Sequence, residues 1–150
     1  MLLNKFKAVV FDLDGVLIDT EEYQMKGWNQ VLEPYGIKIS LEEYFNFTGK
    51  NAPIIEEELV KKHNIKLKKS LVDEKESLIM KWFETEPLEL MHYVHESILF
   101  FRKHNFKVAI ASSGSMSEIL IKLKRTGILE KFDSITSRNE VKRGKPFPDI

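Results

Sequence analysis

The stretch A-V-V-F-D-L-D-G-V-L, residues 8–17, decides the fold of this chain. Four apolar, strand-favouring residues lead directly into Asp12, and a run that is apolar on both faces is typical of a strand inside a parallel sheet. Asp12 and Asp14 follow it, at the carboxyl end where open α/β sheets place their ligand sites. Because Gly15 allows a sharp turn, the two carboxylates need not point the same way and can take different roles.

Two other interpretations of the D-L-D-G motif stay open on the residues alone. Asp and Gly after a strand are also typical of a plain turn. An EF-hand calcium loop fits less well, because alignment on Gly15 puts Val10, which has no side-chain oxygen, at the first ligand position. The segment before the motif is also strand-like, whereas an EF-hand needs a helix there.

The composition excludes several classes of function. The 150 residues carry 23 basic and 23 acidic side chains and no cysteine. The balanced charge gives no field that attracts nucleic acid or an anionic membrane, and the lack of cysteine excludes disulfides and thiolate chemistry. The first residues lack the pattern of a signal peptide, and no segment is long and apolar enough to span a membrane. We expect a soluble, cytoplasmic protein with no nucleic-acid or membrane partner.

Helical periodicity dominates the chain after the first strand. From residue 19 to 87 the apolar residues recur at helical spacing, which predicts four helices and no convincing strand. Gly36 is predicted to end the first helix, and Ser40 with Glu43 forms a capping box that opens the second. The segment therefore reads as an all-helical insertion.

Strands and helices alternate again after this insertion. K-V-A-I-A at residues 107–111 predicts a second strand, and D-S-I-T-S at residues 133–137 predicts a weaker third. The predicted fold class is α/β, with a Rossmann-like parallel-sheet core in residues 1–18 and 88–150. The all-helical domain, residues 19–87, is inserted into that core.

Polar residues also stand at two later points that suit the chemistry of phosphate. S-S-G-S at residues 112–115 forms a strand-to-helix turn, whose N–H groups and hydroxyls can cradle phosphate oxygens. Ser112 fits a simple helix-capping role equally well. Lys145 lies between a glycine and a proline, a stiff setting that can aim its ammonium group, although a single lysine is usually a solvated charge. The joint pattern with Asp12 is more informative than any one part.

Taken in order, three motifs resemble those of the haloacid dehalogenase-like superfamily. They are D-L-D-G-V-L-I-D-T from Asp12, A-S-S-G-S around Ser112 and K-P-F-P-D from Lys145. The resemblance is to the branch of β-phosphoglucomutase-like phosphatases and mutases, and it covers essentially the whole chain. It implies a Mg²⁺-dependent phosphatase whose partner is a small phosphomonoester such as a sugar phosphate. A β-phosphoglucomutase-type phosphosugar mutase is the alternative.

The resemblance also implies roles for individual residues. Asp12 is expected to be the nucleophile that forms an aspartyl-phosphate, and Asp14 the general acid and base. Ser112 and Ser113 are expected to bind phosphate, and Lys145 to offset negative charge. Mg²⁺ is expected to be bound by a carboxylate oxygen of Asp12 and the backbone carbonyl of Asp14.

The insertion looks like the small cap domain of that branch, which is expected to contact the rest of the substrate. Lys50, on a cap loop with Thr48 and Gly49, is the predicted substrate contact.

One departure from the family pattern concerns the end of the sequence. The family completes its metal site with an acidic pair after a further strand, whereas this sequence stops at Ile150, before such a motif. We therefore expect a core that is truncated at its C-terminus, with the first strand at an exposed edge, completed by a missing C-terminal segment or a partner chain. A catalytically silent fragment or binding module is the alternative of another class.

Overall fold

The chain divides into two units. The α/β unit comprises Met1–Thr20 together with Phe83–Ile150, and the helical unit comprises Glu21–Trp82. The structure, a computed structural model, describes residues 5–47, 50, 52–145 and 147–150. Among these residues, the strands in chain order are β1 (Ala8–Phe11), β2 (Ile18–Asp19), β3 (Glu89–Leu90), β4 (Lys107–Ser112) and β5 (Ser134–Ser137). The helices are α1 (Glu21–Leu32), α2 (Leu41–Phe45), α3 (Ala52–His63), α4 (Leu71–Thr85), α5 (Val94–Lys103) and α6 (Met116–Arg125).

A parallel sheet in the order β1-β4-β5 forms the centre of the α/β unit. In β4, every second residue is buried, because Val108, Ile110 and Ser112 face the core. Phe11 of β1 pairs with Ile110 of the parallel strand β4, so the chain leaves both strands at the same, carboxyl end of the sheet. The residues that follow β1 and those that end β4 are therefore neighbours.

Strand β1 lies at one edge of the sheet formed by the described residues. Its apolar run alone predicts burial on both faces, but Val10 is 61% exposed. The strand thus combines a sequence typical of a buried strand with an uncovered position in the described part of the chain. The expected edge position of the first strand is therefore found among the described residues.

A second, antiparallel pair of strands was not predicted from the sequence. Strands β2 and β3 have two residues each, with Ile18 opposite Leu90 and Asp19 opposite Glu89. The pair joins the segment that precedes the helical unit to the segment that follows it. Two residues are too few to show a strand periodicity, and so this pair cannot be recognised from the sequence.

The helical unit keeps the predicted breaks and half of the predicted capping box, whose Glu43 carboxylate pairs with a lysine of α3 instead. Gly36 has a φ of 69°, a left-handed conformation that suits glycine and ends the first helical segment. The Ser40 hydroxyl accepts a hydrogen bond from the Glu43 amide at 3.1 Å, which begins α2. Trp28 and Leu59 are buried in the core of this unit. No helix within the described ranges is both long and apolar enough to cross a membrane.

Asp133, the residue before β5, links that strand to the beginning of β4. Its Oδ2 atom accepts a hydrogen bond from the Val108 amide at 2.9 Å, and its Oδ1 atom one from Lys107 Nζ at 3.3 Å. The Val108 N–H, together with Lys107 and Arg102, holds the pKa of Asp133 below its usual value. The ionised carboxylate therefore favours the folded state at neutral pH.

We expect Asp133→Asn to lower the melting temperature at pH 7. Because the folded-state pKa is depressed, this contribution is present above the unfolded pKa of about 3.9 and is lost as the pH falls through the folded value. The difference from the unmodified protein should thus close on acidification, measured by thermal unfolding from pH 7 down to about pH 3. Glu130→Gln, at a nearby exposed acid, is the control. A difference that widens in acid would contradict this.

Candidate active site

The two strands β1 and β4 bring the predicted catalytic and phosphate-binding residues together at the carboxyl end of the sheet. Asp12 comes directly after β1, and Ser112 is the last residue of β4. Phe11 pairs with Ile110 at the end of the β1–β4 ladder, so Asp12 and Ala111 each follow the last paired residue of their strand. The sheet therefore fixes the backbone positions of a carboxylate and a serine-rich turn next to each other.

Lys145 reaches the carboxyl end of the sheet from the far end of the sequence. Its Nζ atom donates a hydrogen bond to Asp12 Oδ1 at 2.7 Å and another to the Ala111 carbonyl at 3.0 Å. Both side chains stay open to solvent, with 44% of Asp12 and 41% of Lys145 exposed. Lys145 thus places a positive charge beside an accessible carboxylate and ties it to β4.

Asp14 lies in a tight loop that begins directly after Asp12. Gly15 has a φ of 70°, and its amide donates to the Ile18 carbonyl at 2.9 Å. The buried Leu13 anchors the same loop, because its carbonyl accepts the Leu17 amide at 2.9 Å and the Ile18 amide at 3.1 Å. The two acids, although neighbours in sequence, therefore meet different partners.

The partners of Asp14 are Thr20 and a lysine that was not predicted from the sequence. Thr20 Oγ1 donates to Asp14 Oδ1 at 2.8 Å, and Lys122 Nζ contacts the same oxygen at 2.5 Å. Lys122 also pairs with Glu118 at 2.6 Å, one helical turn earlier in α6. A signal was present in the sequence, because Lys122 falls on the apolar face of α6 with Ile119 and Leu123, where a lysine is unexpected.

The serine-rich turn has the predicted strand-to-helix form. Ser112 is 1% exposed, and its Oγ atom accepts the Gly114 amide at 3.1 Å. Ser115 caps α6, since its hydroxyl accepts the Glu118 amide at 3.3 Å. Ser113 is exposed. The turn therefore places a helix N-terminus and the exposed Ser113 at the carboxyl end of the sheet, where Asp12 also lies, while the Ser112 hydroxyl is bonded within the turn.

Lys50 belongs to the helical unit and has a partner there. Its Nζ atom donates to the two carboxylate oxygens of Glu58 at 2.7 and 2.8 Å. The other two residues of its predicted loop, Thr48 and Gly49, lie outside the described residues. The role of Lys50 in substrate binding stays a prediction.

The chemistry of the available oxygens fits a hard divalent cation. No group of three or more His, Cys, Asp or Glu side chains within the described residues is placed to hold a metal. Mg²⁺, however, is usually held by one or two carboxylates, with water and substrate phosphate as the other ligands. Asp12 fits this pattern, because its side chain is open to solvent and only its Oδ1 atom is hydrogen-bonded among the described residues.

A family model described as haloacid dehalogenase-like hydrolase matches residues 9–150. The chain belongs to this family. The match confirms the predicted resemblance, and the parallel sheet with its helices confirms the predicted α/β class. The chain is therefore a phosphoester hydrolase or phosphotransferase of this family.

Two relatives and one solved structure show the extent of the similarity. The chain is 31% identical over 149 residues to the phosphorylated carbohydrates phosphatase of Thermotoga maritima, which covers 96% of the chain and 67% of that protein. It is 28% identical over 162 residues to the beta-phosphoglucomutase of Bacillus subtilis, covering 96% of the chain and 66% of the relative. The chain thus spans about two thirds of these haloacid dehalogenase-like relatives.

The solved structure is a haloacid dehalogenase family hydrolase from Deinococcus radiodurans, crystallised with bound phosphate and sodium. It superposes with a TM-score of 0.74 at 28% identity, over 96% of this chain and 63% of the other.

Proposed function

We propose that this protein is a Mg²⁺-dependent phosphatase that hydrolyses a small phosphorylated carbohydrate through an aspartyl-phosphate at Asp12. The observation that carries the proposal is the division of partners between two neighbouring acids. Asp12 is open to solvent beside the Lys145 ammonium group, whereas Asp14 is held by Thr20 and Lys122. A nucleophile must reach phosphorus, which suits the open Asp12. An acid must be held in place to reach the leaving oxygen, which suits Asp14.

The first step transfers the phosphoryl group to the protein. An Asp12 oxygen forms a bond to phosphorus while the bond from phosphorus to the ester oxygen breaks. Asp14 gives a proton to that oxygen, so that an alcohol leaves and the aspartyl-phosphate remains. Lys145 stabilises the negative charge on Asp12 and on the phosphoryl oxygens throughout.

The second step returns the protein to its starting state. Asp14, now ionised, takes a proton from a water molecule as the water oxygen bonds to phosphorus. The bond between phosphorus and Asp12 breaks, and inorganic phosphate is released. One residue thus serves as acid and then as base, which requires that Asp14 keep its position through both steps.

The turn after β4 is the proposed phosphate cradle. Ser112 and Ser113 would donate hydroxyl hydrogens to phosphate oxygens, and the N-terminus of α6 would add its N–H groups and positive dipole. An Asp12 oxygen and the Asp14 carbonyl would hold Mg²⁺. When bound, the cation would reduce the repulsion between the carboxylate and a phosphate dianion.

Similarity to named carbohydrate-phosphate enzymes supports the substrate class. The relatives include a phosphorylated carbohydrates phosphatase and a beta-phosphoglucomutase. The second name favours a second candidate function, a phosphosugar mutase, in which a sugar hydroxyl replaces water in the second step. Both candidates share the first step, and so they share every residue assigned to it.

A panel of phosphomonoesters tests the proposal and separates the two candidates. We expect the purified protein with Mg²⁺ to release phosphate from sugar phosphates with a higher kcat/KM than from glycerol phosphate. A mutase would instead convert one sugar phosphate to its isomer without net release of phosphate. If no member of the panel is hydrolysed or isomerised, the proposed function is wrong.

Removal of divalent metal is expected to stop turnover. Addition of EDTA should lower kcat by at least about 100-fold, because a metal that offsets the phosphate charge contributes several kcal/mol to catalysis. Phosphate release is measured before chelation, after it, and after Mg²⁺ is restored in excess. Activity that persists in the chelated protein would contradict the proposed role of Mg²⁺.

A further inference from the structure

The structure assigns a positioning role to Lys122, a residue that lies outside the three motifs. We propose that Lys122 holds the general acid–base Asp14 by its Oδ1 atom, so that the Oδ2 atom carries the proton to and from the substrate. This inference rests on the proposed function, and it adds to that function the residue that orients Asp14 and the oxygen that reacts.

Lys122 is a fully buried cation, with 0% of its side chain exposed. Burial of an ammonium group is strongly unfavourable unless the group is well paired. Its Nζ atom lies 2.5 Å from Asp14 Oδ1 and 2.6 Å from Glu118 Oε1, and 4.6 Å from the centroid of the Phe83 ring. These contacts fix the ammonium group in one place.

The hydrogen bonds to Asp14 are unevenly divided between its two oxygens. Oδ1 accepts from Lys122 and from the buried hydroxyl of Thr20 at 2.8 Å, which uses both of its lone pairs. Oδ2 receives no hydrogen bond from any residue within 5–47, 50, 52–145 and 147–150. A proton on Oδ1 would compete with the hydrogen bonds from Lys122 and Thr20 that already occupy this oxygen, so the proton that Asp14 transfers belongs on Oδ2.

The same helix links this contact to the proposed phosphate cradle. Ser115, the last residue of the turn that contains Ser112, caps helix α6, and Lys122 lies about two turns further along the helix. Asp14 and the phosphate-binding turn are therefore positioned by one rigid element. A purely structural ion pair would contribute to stability, but it would not affect the transfer of a proton to the leaving group.

The test exploits this difference by varying the leaving group. A good leaving group such as p-nitrophenolate departs with little protonation, whereas the alkoxide of glycerol needs the acid. We expect Lys122→Met to slow release of glycerol in the first turnover by about 10- to 100-fold, part of the effect typical of general acid–base catalysis. First-turnover release of p-nitrophenol should stay within about threefold, and the substrate concentration that gives half of the maximal first-turnover rate should change little for both substrates.

Lys124→Met is the matched control, because Lys124 is an exposed lysine on the same helix. It should leave both rates within about twofold. In an Asp14→Asn background, Lys122→Met should slow glycerol release by less than about threefold further, because a residue that acts through Asp14 has nothing left to position. Thermal unfolding of each variant checks the fold.

The double variant Lys122→Met with Glu118→Gln is the alternative if the single variant does not fold. It keeps the local charge, since two carboxylates and one ammonium group carry one negative charge, as Asp14 does alone. Equal slowing of glycerol and p-nitrophenol release, or no slowing of either, would overturn the positioning role of Lys122. Turnover by the wild type would in that case leave the proposed function standing. Absence of wild-type turnover would overturn the proposed function and this inference with it.

Discussion

Asp12→Asn is expected to reduce turnover by at least about 10⁴-fold, a loss comparable with that caused by removing the nucleophile of other covalent enzymes. The amide has almost the same shape as the carboxylate, and so the fold is expected to survive. It has no negative charge, and its oxygen is a poor nucleophile toward phosphorus. It also removes the carboxylate that Lys145 contacts at 2.7 Å.

The measurement has two parts. Phosphate release gives the loss in kcat, and mass spectrometry of acid-quenched protein detects the phosphoprotein, which should form in the wild type and be absent from Asp12→Asn. Asp73→Asn, at an exposed acid of the helical unit, is the control and should leave both readouts unchanged. Turnover that survives the substitution at Asp12, or a phosphoprotein in that variant, would show that another group attacks phosphorus.

Local chemistry explains why much of the candidate site was predictable from the sequence. The turn at Gly15 needs a left-handed residue, and the cap at Ser115 needs a hydroxyl, so both appear as recognisable residue types in short windows. The position of Ser112 follows from the strand that it ends. Val108 and Ile110 face the core, and Ser112, two residues further on, lies on the same face. Each of these features depends on fewer than ten neighbouring residues.

Lys122 shows where such reasoning stops. Its contact with Asp14 joins residues that are 108 positions apart, and a lysine is ordinarily exposed. A single sequence does not reveal which distant carboxylate a buried lysine meets. The position of the lysine on the apolar face of α6 predicts burial, but the partner is fixed only by the packing of that helix near the loop after β1.

Asp14→Asn is expected to have the second largest effect, a loss of about 10²- to 10⁴-fold in turnover of alkyl phosphates. The amide oxygen can still accept hydrogen bonds from Thr20 and Lys122, so the loop is expected to keep its shape. What is lost is a group that can give a proton to the leaving oxygen and take one from water. The two steps of the reaction should therefore fail differently.

With p-nitrophenyl phosphate, the first step of the Asp14→Asn reaction should remain fast, because the leaving group needs little protonation. The second step should be slow, because no base activates the water. We expect a burst of p-nitrophenol close to one equivalent per protein, then slow release, with phosphoprotein accumulating. The same variant without a burst, or with a linear course at the wild-type rate, would contradict the assignment of Asp14. Because Asp12→Asn should give no phosphoprotein at all, the pair of variants separates the nucleophile from the acid–base group, a distinction that loss of activity alone does not make.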